Sequence, residues 1–198
     1  MVNFKMTALS KLEKWKYEIL IVLVFAFWRA FLFDGSNFVT ANISPLGAIA
    51  LFSGAKIQNS AAKYTIPIGI LLISDLLISE NGFHLYDGWI WVYSSYLLAV
   101  FFGSKIGEKS KALNISYGCL AAALTHWLLA DFGVWLGGIN VLTGLPFPKT
   151  FEGLIQCYTL GYPFFQKVLF ANCMYALALF GATNYLIRLI LPRRKQVF

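Results

Sequence analysis

Charge is scarce in this chain of 198 residues: Asp, Glu, Lys and Arg make up 13% of it, about half the share of an ordinary soluble domain. Hydrophobic residues reach 59%. A chain this short has too little interior to hide that much apolar surface, so a soluble globular protein is excluded. A bilayer needs about 20 apolar residues per helical span and absorbs the surplus in about six. Cysteine is equally sparse. Cys119, Cys157 and Cys173 form no close pair, which excludes a disulfide framework and a zinc-binding spacing, and they read as small apolar fillers. The sequence has no HExxH, no GxSxG elbow, no Walker loop and no paired carboxylates at fixed spacing. His126 and Asp131 stand five apart, about 140° around a helix, and so are not side by side for acid–base work. No enzyme activity, catalytic residue, metal site or cofactor is expected.

What is abundant is apolar helix. The expected spans are residues 18–33, 38–55, 61–79, 89–103, 112–136 and 163–191, within a single transmembrane domain covering 1–198. The first span follows a basic stretch in the manner of a signal peptide, but its run is long and lacks a clear small-residue cleavage site, so it is expected to stay. The formal charge of +7 could suggest nucleic acid as a partner. Its placement explains it otherwise. With the N-terminus inside, every basic residue except Arg29, Lys149 and Lys167 falls on the cytoplasmic side, while Asp34, Glu80, Asp87 and Glu152 fall outside. The sequence therefore predicts an all-α membrane protein, a six-transmembrane-helix bundle with both termini cytoplasmic.

Two breaks interrupt the pattern. Ser44-Pro45 reads as an N-cap followed by proline at the first helical position, so a helix should begin at Pro45. From there to Lys56 is only about 17 Å, too short for a hydrocarbon core of about 30 Å. The second span is thus a broken helix, with residues 38–42 entering as extended chain covered by protein. The long outer connection then carries Phe151, Leu154, Ile155 and Tyr158 on one helical face. It predicts a separate outer amphipathic helix over about 150–160, an interfacial lid ended by Gly161, with Pro163 starting the last span.

Polar residues within the spans are expensive in lipid and collect in the half assigned to the outside. The candidate ligand-binding set is Arg29, Asn42, Asp75, His126, Asp131, Trp135, Tyr158, Lys167 and Asn172, with a broken-helix N-terminus adding a dipole that favours anions. Each has a plainer reading as an interface-seeking or structural group, and the surrounding aromatics read first as an interfacial belt. Gly47, Ala50 and Gly54 form a smooth face suited to close helix packing, either within the bundle or against a docking partner.

NFVTANISPLGAIALFSGA, ILLISDLLIS, and HWLLADFGVWLGG followed by GLIQCYTLGYPFFQ resemble an uncharacterised bacterial six-helix membrane family. That family is similar in layout to the substrate-capture (S) components of energy-coupling-factor vitamin transporters. The resemblance implies a multi-pass protein of the bacterial cytoplasmic membrane that binds a vitamin-like small molecule and docks onto a transmembrane coupling protein driven by ATPase subunits. Asp131 stands where the family pattern has Asn. The alternative is a structural or accessory subunit of a larger membrane complex, its polar cluster a buried ion-pair network.

Overall fold

The computed structural model describes Phe27 and residues 43–78, 85–107 and 111–190. Ser44 and Pro45 open the first of the five helices whose bounds the described residues define, within one residue of the expected start. In α1 (Leu46–Lys56), Ile49 N–H donates to the Pro45 carbonyl at 2.9 Å, and Ser44 Oγ accepts from Leu46 N–H at 3.4 Å. Serine thereby takes up a backbone donor that has no partner inside the helix. The extended entry expected over residues 38–42 and, apart from Phe27, the first expected span, 18–33, lie outside the described residues.

The other helices are α2 (Ala62–Ile78), α3 (Trp89–Ile106), α4 (Ala112–Gly137) and α5 (Phe151–Ile190). The first three closely match the expected spans. Asn59 starts α2, its Oδ1 accepting from Ala61 and Ala62 N–H, both at 3.0 Å. Among the described residues there is no strand, only an isolated bridge between Ile139 and Pro146.

Every residue of α1 is buried. The helix carries no polar face to show to water, and each of the other four helices packs against it. Phe52 meets Phe180 of α5 edge to face at 5.1 Å between ring centres, and Ile49 and Leu51 lie in the same apolar cluster as Ile115, Cys119 and Leu179. Contact with α3 is closer still. A Cβ added to Gly54 would stand 2.0 Å from the Val100 carbonyl oxygen, and one added to Gly103 would stand 2.0 Å from that of Leu51. The two backbones touch because neither residue has a side chain to hold them apart.

This packing corrects the expected docking face. Gly54 lies against α3, Gly47 faces the Asn172 side chain of α5, and Ala50 is enclosed with Ala99, Val100 and Ala122. The face of Gly47, Ala50 and Gly54 is consumed inside the bundle and offers nothing to a partner.

The separate lid helix is also corrected. Residues 150–160 and the last span form one helix of 40 residues that runs through Gly161 and Pro163 without a break. Proline inside a helix removes one backbone bond, and packing of α5 along α4 keeps the helix going on both sides of it. At 1.5 Å per residue α5 is about 60 Å long, twice a hydrocarbon core. Both α4 and α5 are long and apolar enough to cross a membrane. Only 22% and 28% of their most apolar windows is buried, so they are not the enclosed core helices of a soluble protein. Leu113, Tyr117, Phe170 and Leu177 are among the apolar side chains they expose.

Candidate functional site

Hydrogen bonds and ring contacts hold the first turns of α5 against the last turns of α4. Tyr158 Oη donates to the Leu128 carbonyl at 2.8 Å, and Trp135 Nε1 donates to the Pro148 carbonyl at 2.9 Å. Lys149 Nζ donates to the Trp135 carbonyl and lies over the Trp135 ring. Gly153 lets α5 start directly over Pro148, whose carbonyl oxygen a Cβ there would meet at 2.1 Å.

Between these ties the two helices and their connection line a half-open cavity of about 280 Å³. Its walls are mostly apolar, with Val134, Phe147, Leu160, Phe164 and Phe165 among them. Three polar side chains, His126, Trp127 and Asp131, reach it from α4. Trp127 and Asp131 are four residues apart and share a helix face. Trp127 is held by aromatic neighbours on α5, its ring centre 5.5 Å from that of Tyr158 and 5.2 Å from that of Phe165. Trp127 Nε1 and Asp131 Oδ2 are buried and make no well-aligned hydrogen bond with the described residues, while the Trp127 side chain acts on the Asp131 carboxylate at close range. Such groups are uncommon because each gives up its water without full replacement, at about 1–3 kcal/mol.

Gly161 makes room for the carboxylate. A Cβ at Gly161 would lie 1.6 Å from Asp131 Oδ2, so the carboxylate occupies the space that any other residue would fill. On the neighbouring face of α4, His126 Nδ1 is 2.8 Å from Ser95 Oγ of α3, while that hydroxyl donates to the Val92 carbonyl at 2.6 Å. A hydroxyl has one hydrogen. Shared between the Val92 carbonyl and His126 Nδ1, the Ser95 hydroxyl ties the ring to α3. Tyr96 backs the ring at 5.3 Å between centres.

Of the nine candidate residues, the cavity joins His126 and Asp131. Asp75 does not line it: the carboxylate accepts from Tyr93 Oη of α3 at 3.2 Å. Lys167 Nζ lies over the Phe164 ring. Asn172 is buried against Gly47, and its carbonyl accepts from Cys119 Sγ at 3.5 Å. Trp135 and Tyr158 give their polar hydrogens to backbone carbonyls and act as ties between α4 and α5. Arg29 and Asn42 lie outside the described residues. No group of three or more His, Cys, Asp or Glu side chains suited to a metal ion occurs among the described residues.

Sequence reasoning missed the roles of Trp127 and Gly161. Trp127 was indistinguishable from an interfacial ring, although its spacing of four from Asp131 was visible. Gly161 looked like a helix terminator, and nothing local marks it as the seat of a carboxylate from another helix.

Among the described residues the fold is all-helical, with long apolar helices and a mostly apolar cavity edged by the buried polar side chains of Trp127 and Asp131. Residues 10–194 match the family described as "Family of unknown function (DUF6580)", and the chain belongs to that family. No curated protein and no solved structure matches it.

Proposed function

We propose that this protein is a multi-pass membrane subunit that captures a vitamin-like small molecule for an uptake system, in the manner of the S components of energy-coupling-factor transporters. Six spans with both termini cytoplasmic account for the charge asymmetry, and the exposed apolar sides of α4 and α5 suit lipid. The observation that carries the reading is the cavity. Its size is near the lower end for small-molecule sites, and its mostly apolar wall with a few convergent polar groups is their usual chemistry. A ligand that bonds the Asp131 carboxylate or the Trp127 N–H better than the two groups meet one another offsets part of the cost of burying them. A coupling protein that drives release docks on a surface other than the Gly47, Ala50 and Gly54 face.

The test is mass spectrometry of small molecules released on denaturing the detergent-purified protein. Wild type should release a defined non-lipid compound, and Ala130→Phe, which fills the cavity, should release it at about a tenth of that level or less, as loss of about 1.4 kcal/mol or more requires. Release of phospholipid alone, or equal release from both proteins, would overturn the capture reading.

A further inference from the structure

The wall of the cavity also points to the charge of what it holds. Asp131 contributes the one carboxylate among the described lining residues, and no Lys or Arg stands with it. Lys149 donates to the Trp135 carbonyl and lies over its ring, Lys167 lies over the Phe164 ring, and neither is a lining residue. His126 reaches the cavity with its Nδ1 paired to Ser95. The rest of the wall is rich in aromatic rings, with Trp127, Phe147, Phe164 and Phe165 around the same space. A positive charge beside aromatic faces gains from their negative quadrupole. A carboxylate in such surroundings disfavours an anion, both by repulsion and through the low polarity of the wall. The N-terminus of α1 takes no part in this charge selection, because no residue of α1 lines the cavity.

We propose that the cavity selects a small organic cation, a protonated amine or nitrogen heterocycle, whose N–H donates to the Asp131 carboxylate while its apolar part lies among the aromatic rings. This rests on the capture reading and adds the chemical class of its ligand. Trp127 N–H is a donor; it takes an acceptor atom elsewhere on the ligand and contributes orientation, not charge selection. Gly161 is the specificity-determining position on α5, since its missing side chain is what lets the carboxylate sit at the cavity wall.

The probes are three compounds of one shape and different charge: benzylamine, protonated at neutral pH, benzyl alcohol, and benzoate. Each is titrated against purified protein with thermal melting in detergent as the readout. Wild type should bind benzylamine about tenfold or more tightly than benzyl alcohol, the size of a charge-assisted hydrogen bond, and benzoate least. In Asp131→Asn the three should fall within about threefold of one another, because the charged acceptor is gone while the cavity stays. Trp127→Phe, which keeps the ring and loses the N–H, should retain the preference for benzylamine and so reports on the site even where Asp131→Asn folds poorly. Benzyl alcohol or benzoate binding wild type as well as benzylamine does would overturn the cation assignment and leave capture standing. No response to any probe in wild type, with Ala130→Phe melting identically in their presence, would overturn both.

Discussion

Gly54→Ala and Gly103→Ala should each cost about 3 kcal/mol or more, at or beyond the upper end of ordinary overpacking. The reason is what the new methyl group would meet. At both positions it would be placed 2.0 Å from a carbonyl oxygen of the facing helix, and a backbone cannot swing aside as a side chain can. α1 and α3 must separate, and α1 is the helix on which the whole bundle packs. Gly69 in α2 and Gly181 in α5 provide the comparison, because nothing lies within 4 Å of a Cβ at either position. Alanine there should leave stability unchanged or raise it by about 0.5–1 kcal/mol, as expected for replacing glycine inside a helix. Melting temperature and monodisperse yield in detergent separate the two pairs. Equal tolerance at all four positions would mean that α1 and α3 do not approach as closely as described.

Gly161→Ala should have the opposite profile, a small effect on folding and a large one on binding. Its methyl group would displace the Asp131 carboxylate, and that group is the end of a side chain with open cavity beside it. Benzylamine affinity should fall about 10- to 100-fold, the value of a charge-assisted hydrogen bond. Because Gly161→Ala and Asp131→Asn remove the same interaction, the double variant should bind about as weakly as either single one, a non-additivity expected of residues in contact. Additive losses would show that Gly161 acts by some route other than seating the carboxylate.

The elements that sequence reasoning located best are those set by local chemistry. Ser44-Pro45 fixes the start of α1 through one hydroxyl and one missing N–H, and the apolar runs of α2, α3 and α4 bound themselves with Asn59, Gly88 and Gly138 near their ends. The lid was misjudged because Gly161 and Pro163 are helix breakers only where nothing else holds the helix. Here α4 packs along α5 on both sides of them, and Gly161 serves a contact between helices. The polar residues were grouped by depth, which hydropathy reports, whereas the site depends on rotation about each helix axis. Asp75 and Asp131 are alike by depth, yet Asp75 turns to Tyr93 and Asp131 to the cavity. The face of Gly47, Ala50 and Gly54 shows the same limit, since a smooth helix surface has one sequence pattern whether it packs inside or outside.

A high-resolution density map of protein purified from membranes without added compound tests most directly whether a ligand occupies the space beside Trp127 and Asp131. The expected map shows continuous density in the cavity, in hydrogen-bond contact with the Asp131 carboxylate and against the Trp127 ring. A cavity closed around nothing, with no density against the Asp131 carboxylate or the Trp127 ring, would contradict it.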